Sequence, residues 1–332
     1  MKRSAHIRKL NNLKQLEGPK LPLIIHASED WYGKILSGDC QFLEKLGQTA
    51  SEKGFRLLLV QIKSLISDTV LETEYLQMAV GPRRPQAANL FHAHPSYILG
   101  FWYLDANGYF WNSSLITTEF RPEQVDLQSS EYFFNGVSGF FTRENISSRP
   151  QCERKVLPKA DAFIPLQNIE KYPCRVHYLT SEEIIDTACS TLSGRVYVKL
   201  HPLHNEAERQ NLLDICSRHS NAQLTEASVH DLIAASNVIL SQNSAVGFEA
   251  LMQKKPVLTC AKCDYHHASL VSQTSVELRR NLLQAPDFFE SFPFEKYFYW
   301  FLGQQMLEPQ KEEFAERAWA RLLTPDCPMS IN

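Results

Sequence analysis

From Arg195 onward the chain alternates short apolar runs with amphipathic stretches: "RVYVKLHP", "NEAERQNLLDICSRH", "AQLTE", "VHDLIAAS", "NVIL", "SQNSAVGFEALMQKK" and "PVLTC". The runs lack polar alternation, as expected of strands buried on both faces. Between them, Leu212, Leu213 and Cys216 fall on one helical face. Such a pattern predicts a parallel sheet covered by helices on both sides. Ser228 and Asp231 are spaced for a capping box opening the helix "VHDLIAAS".

The first half repeats the theme. "LPLIIHAS" predicts a strand, "GDCQFLEKLGQTASEKG" a helix and "FRLLLVQI" a second strand, which together make a parallel unit with a crossover. Residues 90–145 mix aromatics with turn signals and predict strands joined by loops. "DAFIPLQ" predicts another strand and "NIEKYPCRV" an interdomain linker. The aromatic "FFESFPFEKYFYWFLG" and the helical "PQKEEFAERAWARLL" close the chain. The expected fold class is therefore α/β: two Rossmann-like parallel-sheet domains facing a central cleft, with a C-terminal helical segment. The expected division is residues 1–170, 171–290 and 291–332, the last segment packing back across the domains.

Of the 332 residues, 44% are apolar and 21% charged, and the net charge is −3, which argues against a nucleic-acid binder. The opening segment is basic, with Lys2, Arg3, Arg8, Lys9, Lys14 and Lys20 against Glu17. It reads either as a solvated amphipathic arm or as a peripheral contact with anionic lipid of an inner membrane. No apolar run is long enough to span a bilayer and no signal-peptide core follows the basic start, so a cytoplasmic protein is expected. The eight cysteines lack framework spacing and are expected to be reduced.

In an open parallel sheet, ligands bind beyond the carboxyl ends of the strands. Three such places stand out. His201 leaves the strand "VYVKL" directly before Pro202, which forbids the strand from continuing. Ser241, Gln242, Asn243 and Ser244 lead into a helix whose unpaired N–H groups and positive end favour an anion, and Gly247 would let a ligand approach the first turn. Gln167 ends "FIPLQ". Capping alone would explain the serines, and a turn alone would explain His-Pro; their succession at strand ends of one sheet points to a phosphate site.

"VYVKLHP", "VHDLIAASNVILSQNSAVGFEALMQKKPVLTC" and "DAFIPLQ" resemble the bacterial capsular polysaccharide transferases that use CMP-Kdo, most closely over residues 196–260. "NGYFWNSSLITTE" resembles a segment of the same enzymes, and the order of motifs is also similar to bacterial sialyltransferases that use CMP-sialic acid. The resemblance implies the GT-B fold, with an acceptor-side N-terminal domain and a CMP-binding C-terminal domain. It also implies a retaining transfer of Kdo to a saccharide or lipid-linked glycan. It departs from the family pattern where Ala106, Asn107 and Gly108 follow Asp105, and where Glu170 is the acid nearest to "PLQ".

A CMP-sugar leaves as a monophosphate, which His201, Ser241, Asn243 and Ser244 would stabilise at a helix start without a metal or other cofactor. His201 would contact or protonate the phosphate, Gln167, Pro202 and Gly247 would line the donor site, and Glu249 would anchor the ribose or the helix itself. Asp105, Glu119 or Glu170 would supply the catalytic carboxylate. Two other readings stand beside this one: a sialyltransferase, and a non-catalytic subunit of a polysaccharide assembly complex.

Cys260 and Cys263, with His266 and His267 behind them, suggest zinc, but a second ligand pair is missing and buried thiols are expected. His92 and His94 either line the cleft or are hydrogen-bonded core histidines. The rings from Phe288 to Phe301 are expected at a domain interface rather than on a membrane. There is no phosphate-binding Walker loop, no dinucleotide glycine fingerprint and no zinc-protease or nucleophile-elbow motif.

Overall fold

The computed structural model describes residues 4–82 and 85–324. Lys2 and Arg3 of the basic segment lie outside them. Contacts divide the chain into two units, the first Met1–Ser96, Gly100–Ser114 and Leu302–Asn332, the second Tyr97–Leu99 and Leu115–Phe301.

The first unit holds β1 (Ile7–Lys9), β2 (Leu21–Ala27), β3 (Phe55–Gln61), β4 (Leu76–Val80), β5 (Leu90–Pro95) and β6 (Trp102–Asp105), in the order β1-β3-β2-β4-β5-β6. All pairs are parallel except β5 with β6. Alternate residues of β2 enter separate cores. Leu23, Ile25 and Ala27 pack with the helices Glu29–Leu36, Gln41–Ala50 and Phe314–Leu322, while Ile24 packs with Leu58, Val60 and Val70. The basic segment differs from its expected solvated arm: Ile7 is buried and β1 adds an edge strand beside β3. Arg8 and Lys9 follow Ile7 in the strand and are exposed, as charges on an exposed edge should be.

The second unit holds β7 (Ala160–Pro165), β8 (Val196–Lys199), β9 (Ala222–Leu224), β10 (Ser236–Ser241), β11 (Val257–Thr259) and β12 (Leu270–Val271), ordered β12-β11-β10-β7-β8-β9 and parallel throughout. One face carries Ala162, Ile164, Val196, Val198, Val238 and Leu240 under the helices Ser181–Thr191, Glu206–Ser217 and Ser275–Glu290. The helices Val229–Ala235 and Ala245–Leu251 follow β9 and β10.

The expected boundary at residue 170 moves. β7 is one of the two central strands of the second sheet, the second unit takes in residues from Leu115, and "NIEKYPCRV" joins two of its own elements. The expected tail divides as well. Residues up to Phe301 stay with the second unit, and those from Leu302 return to the first, where Trp319 stacks on Phe55 (5.1 Å) and donates to Thr49 Oγ1 (3.0 Å). Phe294, Tyr297, Phe298 and Phe301 are buried, and the last three pack within the second unit against Phe120, Phe134 and Phe248. Each such ring contributes roughly 2–3 kcal/mol on leaving water. Phe288 alone of this run is exposed. Among the described residues no helix is long and apolar enough to cross a membrane.

The capping box expected at Ser228 forms only in part. Ser228 Oγ accepts from His230 N–H (3.3 Å), but Asp231 turns away to accept the Lys155 amide (2.6 Å) and to pair with Arg154.

Candidate active site at the carboxyl edge of the second sheet

The residues that follow β7, β8 and β10 converge. Gln167 Oε1 accepts the backbone N–H of Asn243 at 2.7 Å, which ties the β7 end to the β10 end. The Gln167 carbonyl accepts from His204 Nε2 (3.0 Å), and His204 Nδ1 accepts the His201 N–H (3.3 Å), which ties in β8. A cavity of about 300 Å³ opens here, lined by Gln167, Asn168, Ile169, Lys171, Tyr172, His201 and Leu203. That is the low end of small-ligand sites.

His201 is half-buried. Burial foremost, then the charges of His204 and Arg149, push its imidazole down to about 4. The ring is therefore neutral near pH 7. Its Nδ1 accepts the Leu203 N–H (3.2 Å), so the proton resides on Nε2 and makes it a hydrogen-bond donor. The expectation that His201 protonates a phosphate is accordingly narrowed to donation by a neutral ring. Pro202 is exposed and ends the strand.

The serine turn differs from the cradle expected of it. Ser241, Gln242, Asn243 and Ser244 are all buried, and most of their polar groups face protein partners, whereas Gln242 Oε1 has no hydrogen-bond partner among the described residues. Asn243 Nδ2 donates to Lys262 O (2.8 Å), and Ser244 Oγ accepts its own helix's Val246 N–H (3.2 Å). Ser241 Oγ lies beneath the Ser244 amide (3.4 Å). Gly247 answers to packing rather than ligand approach: a Cβ there would stand 2.7 Å from the hydroxyl of Tyr265, which is buried and donates to Ser244 O (2.8 Å). Glu249 is buried and accepts from Ser147 Oγ (2.7 Å), so it holds a neighbouring segment, and burial raises its carboxyl to about 7 against the weaker pull of Ser147 and Ser148.

The three expected carboxylates are engaged. Asp105 ends β6 in the first unit, where it accepts Asn107 N–H (2.7 Å), Gly108 N–H (3.0 Å) and the amide and hydroxyl of Ser114 (2.9 and 2.5 Å). Its oxygens thus shape the loop that follows. Glu170 Oε1 accepts the amide and hydroxyl of Ser181 (2.7 and 2.6 Å) and Gln242 Nε2 (3.0 Å), bracing a helix start. Glu119 belongs to the second unit, is exposed and pairs with Arg121 at 2.6 Å.

Sequence reasoning missed His204, Asn168, Lys171, Tyr172 and Arg149. His204 had a signal, since a second imidazole three residues after His201 reaches back across the same turn; Arg149 sits in a segment without regular structure and had none. Cys260 and Cys263 are buried free thiols whose pKa burial raises, and no group of three His, Cys, Asp or Glu among the described residues is placed to hold a metal. His94 stacks on Tyr109 (4.1 Å) and bonds Pro95 O (2.7 Å), and His92 is buried in β5, so both are packed within the first unit.

Residues 175–295 match the family of capsule polysaccharide biosynthesis proteins. The matched stretch lies within the second unit. The matched stretch spans both "VKLHP" and "SQNSAVGFEAL", the motifs on which the resemblance rested. Among solved structures, the chain is similar to the β-Kdo 2,4-transferase of KpsC from Thermosulfurimonas dismutans (15% identity, TM-score 0.49, covering 82% of this chain and 91% of that one). It is also similar to the β-Kdo 2,7-transferase of the same protein (13%, 0.46, 76% and 84%). A third is the UDP-GlcNAc 2-epimerase of Methanocaldococcus jannaschii (10%, 0.40, 91% and 99%). No curated protein sequence matches the chain.

Proposed function

We propose that the protein is a GT-B glycosyltransferase that moves Kdo from CMP-Kdo to a saccharide or lipid-linked glycan in bacterial surface polysaccharide synthesis. The observation that carries this is the junction of Gln167, His201, His204 and Asn243 at the carboxyl edge of a sheet whose strands β8 to β12 lie in the stretch that matches the capsule family. In this reading the donor's phosphate takes a hydrogen bond from His201 Nε2, and the nucleoside occupies the cavity beside Tyr172 and Ile169. A departing monophosphate needs no proton at neutral pH, so a neutral imidazole that donates without transferring suffices. The serine turn serves by holding Asn243 and the helix start rigid, and no metal or cofactor enters the scheme.

A second reading has its own support. Both oxygens of Asp105 accept loop donors, Glu170 Oε1 accepts three bonds at a helix start and Glu119 is ion-paired on the surface, a state suited to a subunit that binds a CMP-sugar without turning it over. Incubation with CMP-Kdo, CMP-sialic acid and a range of acceptors, followed by CMP release, separates the readings. Release from CMP-Kdo alone supports the first, and binding of CMP without release supports the second. Preference for UDP over CMP would overturn both.

A further inference from the structure

The turn that follows β8 uses up its own backbone donors. His204 N–H donates to His201 O (3.1 Å), which closes the turn, and Leu203 N–H donates to His201 Nδ1 (3.2 Å). Pro202 has no N–H to give. The remaining amide, that of His201, goes to His204 Nδ1 (3.3 Å). What the turn still has to offer a ligand is the Nε2–H of His201, for which the described residues hold no partner.

His204 does more than such a turn requires. Its ring is half-buried, and while Nδ1 accepts within the turn, Nε2 donates to Gln167 O (3.0 Å) at the end of β7. Asn168 Nδ2 adds a second bond across the same gap, to Leu203 O (3.0 Å). The cavity of about 300 Å³ is walled by the two segments so joined, with Gln167, Ile169 and Tyr172 lining it from one and His201 and Leu203 from the other.

We propose that His204 is a positioning residue for ligand binding: bonded to the His201 amide at one end and to the end of β7 at the other, it holds His201 at the cavity with Nε2–H presented to an oxyanion of the ligand. That this ligand is a CMP-sugar rests on the proposed function; the positioning does not. The action is local. His201 keeps its proton on Nε2 while Leu203 N–H stays on Nδ1, and that amide is held in place by a turn fastened through His204 and through Asn168. Without the His204 ring the turn keeps its closing backbone bond, but the His201 amide loses its acceptor and the turn loses a tie to β7. The His201 ring is then released to exchange between its two neutral tautomers.

The test has two arms, and the first needs no ligand. The tautomer of His201 is read from its ring nitrogen shifts by NMR at neutral pH in wild type and H204A. Wild type should show one tautomer, with the proton on Nε2, and H204A an average of the two. The second arm measures the affinity of CMP for wild type, H201A, H204A and H201A/H204A. Because His204 works through His201, H204A should lose about threefold to tenfold, no more than H201A, and the double variant should bind as weakly as H201A alone. Should H204A fail to fold, H204F, which keeps a ring without either polar atom, takes its place in both arms. An unchanged His201 tautomer or undiminished CMP affinity in H204A would overturn the proposal. So would losses that add in the double variant, which would make His204 a support independent of His201. If wild type bound no CMP while the first arm came out as expected, the CMP reading would fail and the positioning would stand.

Discussion

Replacing Gly247 with alanine asks whether the turn after β10 is a ligand cradle or a packed joint. Within a helix the change alone should stabilise by about 1 kcal/mol. Here the new Cβ would stand 2.7 Å from Tyr265 Oη and 3.2 Å from Ser241 Oγ, both buried. Tyr265 has little room to yield, since its ring packs edge-on against Tyr97 (5.1 Å) and Phe248 (5.8 Å). Overpacking of this kind costs about 1–3 kcal/mol, and pulling the hydroxyl off Ser244 O costs about 1 more. The net expectation for G247A is a loss of about 1–3 kcal/mol. Y265F alone should lose about 1 kcal/mol with its hydrogen bond. In the double variant the clashing oxygen is gone, so G247A/Y265F should be more stable than G247A, with a coupling of about 1–2 kcal/mol. Because the chain has two units, the readout should be local: amide hydrogen exchange of peptides covering residues 236–260. If G247A proved more stable than wild type while losing affinity for CMP, the packing argument would be refuted and the glycine would belong to a ligand.

Further expectations concern titration and fold. Glu249 has its pKa raised to about 7. Its carboxyl favours the folded state below the unfolded value, and that contribution is lost as pH rises through about 7; the loss is at most about 3 kcal/mol, and E249Q should flatten the fall in melting temperature between pH 5 and 8 (roughly). His26 shows the opposite sign. It is buried between Ser67 Oγ (2.9 Å) and Gln77 Oε1 (2.7 Å), burial lowers its pKa to about 4, and its contribution, complete above the unfolded value of 6.5, is lost as pH falls towards 4. H26N should be the less acid-sensitive protein in thermal melts, and equal sensitivity would contradict the assignment. Removing Gln167 Oε1 by Q167A leaves the Asn243 amide unpaired in a buried turn, and should cost about 1–3 kcal/mol together with CMP affinity. Retained affinity would detach β7 from the site.

The strands were legible where burial on both faces leaves a pure apolar run, as in β2, β3, β7, β8 and β10. Elements with mixed surroundings were not. β1 buries only Ile7 and otherwise reads as charge. The helix Leu127–Arg143 presents Ser130, Phe134 and Ser138 to its neighbours, so two of its three fully buried positions are serines and its apolar period vanishes. The helix Ser181–Thr191 had a readable signal, a capping box from Thr180 to Glu183. Which sheet β7 joins depends on partners distant in sequence, and no local pattern reports it. At the site, the strand-end positions of Gln167, His201 and Asn243 followed from the alternation of elements. Whether a polar side chain faces a ligand or its own protein did not, as the buried serines and Gly247 demonstrate: a capped helix start and an anion site use the same residue types.

The most direct measurement is calorimetric titration of wild type and H201A with CMP, UDP and GDP. The account predicts that wild type binds CMP in preference to the other two and that H201A loses about tenfold or more of that affinity, the worth of one hydrogen bond to a charged group. CMP binding that is undiminished in H201A, or a wild-type preference for UDP, would contradict it.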